Sequence, residues 1–450
     1  MNILQKSKQN TNIINSFPGY EHIPGPEHKG HGKNMFRGED VGFGGYVYAK
    51  PGMYGRTVVL DVSGMHPASI RAMNYFGEYT ERYGEIVDLR TYIKHGDFET
   101  AKKMMGGKVA KYLSDPQMAK GLSGALKIAA NSCYGLTSAD FENPMHDSRN
   151  VNNIVALRGA LFMVTLRDEV IKLGYTPISI KTDSIKIINP DDEIIKFVTE
   201  FGKKYGYNFE IENIFDRICL VNASTFIAKC AEDDPETPNK WLAKAEQFQV
   251  PYVFKTLFSK EPIIFEDTCE TFSVKEGVLY LDMNESLPDV TEFEKELKKL
   301  EGDYKKGKIS DTRFEKEGLR LSEEITKGHN YIFVGRVGQF CPMVDGADGG
   351  VLYRFKDGKY YAVSGTKGYR WLESEVVKTL GKEDQIDKSY YIRLVDEAKK
   401  AIGEYGDFEM FANADEFLDF MSIPDNKPDG DYELPWDPVD PAEKQHPKDG

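Results

Sequence analysis

Alternating apolar and polar positions predict much of the β-structure of this chain. Residues 178–187, ISIKTDSIKI, alternate on either side of Lys-Thr-Asp-Ser, which indicates two short strands joined by a tight turn. Residues 41–60 alternate and then become continuously apolar, as strands do. The turn would present an ionised Asp183 at the tip of a hairpin with apolar flanks. The preference of Asp and Ser for turns is enough to explain Asp183, unless functional residues from other segments of the chain lie next to it.

Helical periodicity predicts the remaining elements. Apolar residues on one face favour a helix at about 152–173, and Gly174 follows as a C-terminal cap. A helix begins at 67–77, and the helices 97–113 and 116–134 would fold back on each other as a hairpin. The further predictions are helices at 191–206, 290–328 and 385–420, strands at 217–228 and 240–258, and a β-rich segment at 329–371.

These elements favour an α+β protein with helices grouped around an antiparallel sheet, because they do not alternate as βαβ units. Residues 1–40 are rich in Gly, His and Pro and lack periodicity, which predicts a loop or arm. The 450 residues, 40% of them apolar, are enough for about two to four domains' worth of core.

Composition excludes several classes of protein. No apolar run approaches the ~20 residues that span a bilayer, and the N-terminus lacks the pattern of a signal peptide. Five cysteines, never spaced as CxxC, argue against a zinc site or a disulfide framework. A reducing cytosol is the natural setting for such a chain.

The net charge of −14 is unevenly distributed. Residues 401–450 hold 14 Asp and Glu against 3 Lys and Arg, a net charge of −11, and 426–450 indicates a disordered acidic tail. Residues 1–130 hold 17 Lys and Arg against 12 Asp and Glu, a net charge of +5. Because phosphate contacts are local, the acidic tail does not exclude a nucleic-acid partner.

Asp61 ends the apolar strand TVVLD, so its carboxylate would lie at the edge of a sheet. The following turn, SGMHP at 63–67, leads into a helix whose first backbone N–H groups suit an anionic ligand. The alternative is that Asp61 only caps the next turn.

The segment GALKIAANSCYGLTS, residues 124–138, presents a polar stripe on an apolar helix. Lys127, Asn131 and Tyr134 share one face because they are spaced i, i+4 and i+7, and Lys120 extends that face. Two cations and an aromatic ring could contact phosphates and a base, although a solvated surface would also explain them.

Asp183 would meet Asp61 if both strands belong to one antiparallel sheet. Two carboxylates facing a group of cations are the arrangement that two-metal phosphoryl transfer requires.

In this order the three segments resemble motifs A, B and C of the family-B (polymerase-alpha-like) DNA polymerases, particularly those of bacteriophages. The family's Asp-x-x-Ser-Leu-Tyr-Pro-Ser is matched by DVSGMHPA at 61–68, and its Lys-x-x-x-Asn-Ser-x-Tyr-Gly by KIAANSCYG at 127–135. Its Tyr-Gly-Asp-Thr-Asp-Ser becomes SIKTDS at 179–184. The resemblance covers roughly residues 40–260 and implies a palm–fingers–thumb fold with an antiparallel β-sheet palm and an antiparallel helix hairpin as fingers.

The resemblance also implies roles for single residues. Asp61 and Asp183 would bind two Mg²⁺ ions, with Mn²⁺ as an alternative and the Val62 carbonyl as a further ligand. Lys127 would hold the triphosphate of the incoming dNTP and protonate the leaving pyrophosphate. The nucleotide-binding residues would be Ser63, Gly64, Met65, His66, Lys120, Lys127, Asn131 and Tyr134, with Lys103 and Lys108 as weaker candidates.

Two departures from the family pattern bear on activity. Lys181 stands where the family has the first Asp of motif C, which is generally the less essential one, so activity would be kept with altered metal affinity. His66 replaces the Tyr that stacks under the sugar and excludes ribonucleotides. An imidazole is smaller than a phenol, so we expect weaker discrimination against a 2′-OH.

The segment VGFGGYV at 41–47 resembles the Tyr-x-Gly-Gly element that touches the template strand. About 40 residues precede it, too few for an exonuclease domain, and they contain no Asp-x-Glu site. We therefore expect proofreading to be absent or supplied by another chain. The DNA-binding candidates are Gly44, Gly45, Thr182, Lys229, Lys244 and Lys255, the three lysines having a solvent-facing alternative.

The resemblance divides the chain into an N-terminal arm (1–40), a first palm segment with motif A (41–96), fingers with motif B (97–136), a second palm segment with motif C (137–260), a thumb and C-terminal region (261–425) and the acidic tail (426–450). The expected partners are primer–template DNA, dNTPs and either a separate exonuclease subunit or a processivity factor, with no membrane. The expected location is the cytoplasm of the infected bacterial host.

Two rival functions remain open. One is a catalytically weak DNA-binding subunit of a split polymerase, in which Lys181 marks decay of the site. The other is a polymerase that accepts ribonucleotides and primes, which His66 alone suggests.

Overall fold

The computed structural model describes residues 13, 15–25, 32–139, 141–145, 153–284 and 289–412. The chain forms two compact units, the first containing residues 1–245 and 401–450 and the second residues 246–400. The acidic tail at 426–450 lies outside the described residues. No helix in the described part is long and apolar enough to cross a membrane.

A small sheet begins the first unit. Its strands are β1 (Glu21–Ile23), β2 (Lys33–Phe36) and β3 (Glu39–Asp40), paired in that order. Phe17 and Phe36 are buried in the main core of the unit. The prediction of a loop or arm is therefore wrong for these described residues. These strands are too short to show a pattern of alternating apolar and polar residues in a segment rich in Gly and Pro.

The main sheet of the first unit is antiparallel throughout. Its strand order is β11-β10-β9-β6-β8-β7-β4, and β5 pairs with β9. The motif-A strand β6 lies near the middle, between β8 and β9. The strands are β4 (Val47–Ala49), β5 (Gly52–Tyr54), β6 (Thr57–Val62), β7 (Pro177–Lys181), β8 (Ser184–Ile188), β9 (Phe209–Asn222), β10 (Thr225–Cys230) and β11 (Trp241–Lys244).

Two strand predictions need correction. The range 217–228 contains segments of both β9 and β10, because the chain turns at Ala223 and Ser224. The range 240–258 forms a strand only at β11 and then becomes helical. Apolar runs of this length do not distinguish strand from buried helix by periodicity alone.

Besides a short helix at Phe408–Ala412, the described part of the first unit contains six helices between residues 65 and 204. They are α1 (Met65–Ala72), α2 (Thr80–Lys94), α3 (Phe98–Lys103), α4 (Pro116–Thr137), α5 (Ile154–Lys172) and α6 (Asp192–Lys204), with 3₁₀ turns at Gly77–Tyr79, Met104–Gly107 and Ala110–Leu113. The prediction of α5 is confirmed. Nearly all of its residues are buried, and Gly174 ends it with a positive φ of 86°.

The predicted helix 97–113 is wrong in length. It ends at Lys103, and Met105 and Gly106 have left-handed φ values of 51° and 66°. The predicted hairpin of helices 97–113 and 116–134 is therefore wrong as well, because α4 packs mainly against α2. Leu89 and Ile93 of α2 share a core cluster with Ala119 of α4. Asp115 caps α4 by accepting a hydrogen bond from the Met118 N–H at 2.8 Å.

The second unit combines two antiparallel sheets with helices. Its strands are β12 (Glu270–Ser273), β13 (Val278–Asp282), β14 (Tyr331–Gly335), β15 (Val337–Met343), β16 (Val351–Lys356), β17 (Lys359–Ala362) and β18 (Arg370–Glu373). The sheet orders are β12-β15-β18 and β14-β13-β16-β17. The helices are α7 (Glu246–Gln249), α8 (Pro251–Phe254), α9 (Thr291–Lys305), α10 (Asp311–Lys327), α11 (Ser374–Leu380) and α12 (Lys388–Gly403), with short turns at Lys255–Ser259, Phe265–Thr268 and Glu383–Gln385.

The core of the second unit is built around Trp371, Phe340 and Tyr391, each less than 2% exposed. The predicted helical segment at 290–328 and the β-rich segment at 329–371 are confirmed. For 385–420, α12 and α13 (Phe408–Ala412) confirm the helical prediction as far as residue 412. Both units therefore mix α-helices with antiparallel sheets, as the predicted α+β class requires.

Candidate active site

Asp61 and Asp183 come together because their strands are neighbours in the main sheet. Asp61 lies opposite Ser184 on β8, and Asp183 occupies the two-residue turn between β7 and β8. The Val62 N–H donates a hydrogen bond to the Asp183 carbonyl at 2.9 Å, which holds the turn against the end of β6. Thr182, the other turn residue, has a positive φ of 60°. The hairpin predicted from residues 178–187 is confirmed, with Asp183 at its tip.

The side chains of β6 alternate between the core on the α5 side and the opposite face of the sheet. Val58, Leu60 and Val62 belong to the same core cluster as the residues of α5, whereas Val59 belongs to the cluster on the opposite face. Successive side chains of a strand point to opposite faces, so Asp61 shares the face of Val59. The carboxylate therefore lies on the face that α5 does not cover.

Burial and the negative charge of Glu212 act on both carboxyl groups. Burial, followed by the charge of Asp183 and then of Glu212, raises the pKa of Asp61 to about 7. Burial also raises the pKa of Asp183, while Lys181 lowers it in part. A cation bound between the two groups would favour their ionised forms.

The sequence did not predict that a further acidic residue, Glu210, would lie beside Asp61 of motif A. Glu210 lies opposite Asp61 on β9. It accepts hydrogen bonds from Ser63 Oγ at 2.5 Å and Lys94 Nζ at 3.0 Å, and His95 Nε2 lies 3.1 Å away. Burial opposes ionisation, yet these hydrogen bonds hold the pKa of Glu210 below its ordinary value. Lys94 and His95, at the end of α2, are thereby held next to motif A.

One hydrogen bond, one left-handed glycine and one buried side chain fix the turn after Asp61. The Ser63 N–H donates to the Asn208 carbonyl at 2.9 Å, so this group is already used. Gly64 has a φ of 69°, a left-handed conformation that suits glycine and starts α1. Met65 is buried, and a Cβ on Gly159 of α5 would lie 2.5 Å from its Sδ atom. Of the predicted phosphate cradle, the N–H groups of Gly64 and Met65 are the remaining candidates.

Motif B meets motif A through two stacked rings. The centroids of His66 and Tyr134 are 4.0 Å apart, with 11° between the ring planes. Asn153, at the start of α5, donates from Nδ2 to the Tyr134 hydroxyl at 3.2 Å and to the Phe43 carbonyl at 3.1 Å. Burial lowers the pKa of His66, which favours the neutral imidazole. No sequence pattern pointed to Asn153.

The other polar residues of motif B are exposed on α4. Lys127 and Asn131 have no hydrogen bond or ion pair to the two aspartates within the described ranges. Ile128 of the same helix is 69% exposed, so the exposed side of α4 is not wholly polar. Lys120 on α4, Lys103 and Lys108 are also exposed. The structure brings Tyr134 to motif A but does not bring these lysines to it.

The glycine pair at 44–45 lies against the tip of the motif-C hairpin. The Thr182 N–H donates to the Tyr46 carbonyl at 2.8 Å, and Val47 pairs with Lys181. A Cβ on Gly45 would lie 2.2 Å from Thr182 Oγ1, so only glycine fits this approach. Gly44 has no atom within 4 Å of such a Cβ.

The three lysines considered for DNA binding differ in their surroundings. Lys229 donates to the Asn239 carbonyl and lies over the Trp241 ring at 5.7 Å. Lys255, in the second unit, forms a 2.8 Å ion pair with the buried Asp267. Lys244, on β11, is exposed. Local contacts thus account for Lys229 and Lys255, and Lys244 remains the accessible cation of the three.

The aspartate pair fits a divalent cation that takes other ligands from a substrate. Mg²⁺ is commonly bound by one or two carboxylates together with waters and phosphates. Within the described residues, no group of three or more His, Cys, Asp or Glu side chains is arranged to hold a metal ion. The protein's share of such a site would therefore be Asp61 and Asp183, and the sequence also predicts the Val62 carbonyl as a ligand.

No protein-family model matches this chain, and no curated protein is similar to it. Among solved structures, the chain is similar to the family B DNA polymerase from the hyperthermophilic archaeon Pyrobaculum calidifontis, with 13% identity and a TM-score of 0.40. The match covers 87% of this chain and 49% of that one, so this chain spans about half the length of the polymerase. A likeness this distant assigns no activity.

Proposed function

We propose that the protein is a DNA-templated DNA polymerase that extends a primer 3′-OH with dNTPs and releases pyrophosphate. One observation supports this most directly. The aspartates of two separate motifs, Asp61 and Asp183, meet on neighbouring strands, and Tyr134 of the third motif stacks on His66 of the first. Motif A thus contacts both of the other motifs, and together the three segments carry the residue types that nucleotidyl transfer needs.

The proposed roles follow from chemistry and position. Asp61 and Asp183 would hold two Mg²⁺ ions, which activate the 3′-OH and neutralise the leaving pyrophosphate when bound. The N–H groups of Gly64 and Met65, at the start of α1, would bind the triphosphate. The stacked pair of His66 and Tyr134 would contact the sugar and base of the incoming nucleotide.

Lys127 requires movement of α4 or of the substrate to act, because it is exposed and has no contact with the aspartates among the described residues. In the proposal it binds the triphosphate and protonates the pyrophosphate as that group leaves. A palm–fingers–thumb arrangement of the chain belongs to the proposal as well, with α4 in the fingers.

Primer extension tests the proposal. The full chain is incubated with a labelled primer–template, dNTPs and Mg²⁺, beside Asp183→Asn and Lys127→Met. We expect Asp183→Asn to lower the rate by about 10³-fold or more, because metal-based charge stabilisation is worth several kcal/mol. Lys127→Met should lower it by about 10²-fold or more.

The matched controls are Glu200→Gln and Lys196→Met, two exposed residues of α6. They should extend the primer at the parent rate. Extension that survives Asp183→Asn unchanged would refute the assignment of the site.

A bacteriophage origin would place the protein in the cytoplasm of an infected bacterium, where a separate exonuclease subunit or processivity factor would complete it. The resemblance of the three motifs to phage polymerases supports this origin. Excision of a mismatched primer end by the purified chain would contradict the separate exonuclease.

A catalytically weak DNA-binding subunit is the second candidate, and Lys181 favours it. This lysine is exposed beside Asp183 and lowers the negative charge of the turn. The primer-extension assay decides between the two functions. If the parent binds primer–template DNA but extends it only after Lys181→Asp, the lysine has disabled a polymerase site.

A further inference from the structure

Lys186 is a lysine buried inside the main sheet. It is 4% exposed and lies in the middle of β8, opposite Val59 on β6 and Ser179 on β7. Its neighbours Ile185 and Ile187 belong to the core on the α5 side. Because side chains alternate along a strand, Lys186 points to the face that Asp61 occupies.

The surroundings of Lys186 are apolar but electrically linked to the aspartate site. Its Nζ lies 5.0 Å from the centroid of the Phe226 ring. Burial lowers its pKa to about 8, which the negative charges of Glu212 and Asp61 oppose and the positive charges of Lys181 and Lys244 reinforce. Among the described residues, no ion pair within 4.0 Å joins this ammonium to a carboxylate, so Glu212 and Asp61 act on it from a longer distance.

A structural role alone does not explain the charge. Burying an unpaired ammonium costs several kcal/mol, and a cation–π contact returns only about 2 kcal/mol when desolvated. Methionine would fill the same space beside Phe226 without that cost. Packing against Phe226 therefore does not account for the positive charge at this position.

We propose that Lys186 is an internal counter-cation of the aspartate site, which acts through Asp61 and through Glu212, an exposed residue of β9, to set how tightly the site binds divalent metal ions. The inference rests on the proposed function. A fixed positive charge on this face offsets part of the negative charge of the carboxylates. It therefore weakens the binding of divalent cations to the site. Lys186 is thus a positioning residue and touches no reacting atom.

Direct metal binding tests the proposal without requiring turnover. Mn²⁺ is titrated into the full chain without nucleotide, and free Mn²⁺ is measured by electron paramagnetic resonance. Lys186→Met should bind Mn²⁺ at least about threefold more tightly than the parent. Lys186→Arg keeps the charge and should stay within about twofold of the parent. The control Lys196→Met removes an exposed lysine of α6 and should also match the parent.

A charge-compensation variant distinguishes electrostatics from packing. Glu212 is exposed, so Glu212→Gln should fold and weaken Mn²⁺ binding. The double variant with Lys186→Met should return towards the parent affinity, which a packing defect would not produce. Equal Mn²⁺ affinity of the parent and folded Lys186→Met would overturn the proposal.

Other outcomes are also decisive. If Lys186→Met and Lys186→Gln both fail to fold while Lys186→Arg folds, the charge serves the fold and the proposal is wrong. Asp183→Asn separates this inference from the proposed function. Mn²⁺ binding that Asp183→Asn leaves intact refutes the metal site itself. Binding lost in Asp183→Asn but unchanged in Lys186→Met refutes only the role of Lys186.

Discussion

The close approach of Gly45 to Thr182 predicts that Gly45→Ala will destabilise the protein and move the tip of the β7–β8 hairpin. A Cβ at position 45 would lie 2.2 Å from Oγ1, 2.4 Å from Cγ2 and 2.6 Å from Cβ of Thr182, whereas ordinary contact begins at 3.4 Å. The added methyl group is thus about 1 Å too close. Rotation of the threonine moves Oγ1 and Cγ2 but not its Cβ, so the backbone of the tip has to shift. Overpacking of this kind costs about 1–3 kcal/mol.

Urea-induced unfolding of four variants measures this cost. Gly44→Ala is the matched control, since its Cβ would meet no atom within 4 Å, and we expect a change within about 0.5 kcal/mol. Thr182→Gly removes all three crowding atoms, and its φ of 60° suits glycine. The penalty of Gly45→Ala should therefore largely vanish in the Thr182→Gly background. An equal penalty in both backgrounds would refute the reasoning, as would equal penalties at positions 44 and 45.

Three further predictions concern the same site. The pKa of Asp61 is raised to about 7, so between about pH 4 and 7 the folded protein keeps a proton on Asp61 that the unfolded chain has lost. The free energy of unfolding should therefore fall as the pH rises through this window. Urea titrations without metal should show the free energy of unfolding falling with pH in the parent and changing much less in Asp61→Asn. The same pH dependence in both proteins would contradict the assignment. His66→Tyr should lower incorporation of ribonucleotides relative to dNTPs in single-turnover extension, because a larger ring excludes the 2′-OH, and an unchanged ratio would remove His66 from sugar selection. Gly159→Ala should cost less than Gly45→Ala in thermal unfolding, because it crowds the flexible Sδ of Met65 rather than a branched Cβ, and the reverse order would contradict this ranking.

Local patterns predicted the elements of the fold that depend on near neighbours. The hairpin carrying Asp183 follows from alternation on both sides of a two-residue turn, and both halves are in the same ten residues. Helix α5 follows from an uninterrupted apolar pattern with Gly174 as its end. The helix predicted at 97–113 failed because Met105 and Gly106 take left-handed conformations, which a propensity average over the segment conceals.

The residues of the candidate site that sequence patterns missed depend on contacts between elements far apart in the sequence. Glu210 could not be predicted, because the alternation of β9 fixes which side chains share a face but not which strand lies beside it. Lys94 reaches Glu210 across 116 positions of sequence, and Asn153 reaches Phe43 across 110. Contacts of that range leave no periodic signal. The meeting of Asp61 with Asp183 was predicted conditionally, and the placement of β6 between β8 and β9 meets the condition.

The central position of β6 also has a consequence for the order in which the chain can fold during synthesis. Helices α2 and α4 build a local cluster within residues 89–119, which can collapse as soon as that segment leaves the ribosome. Strand β6 ends at Val62, yet both of its partners, β8 and β9, are made more than 120 residues later. Until Phe215 has emerged, the strand that bears Asp61 has no complete sheet to join and exposes two open edges. A nascent chain of this protein should therefore depend on chaperones during that interval, which ends when both partner strands of β6 have been made.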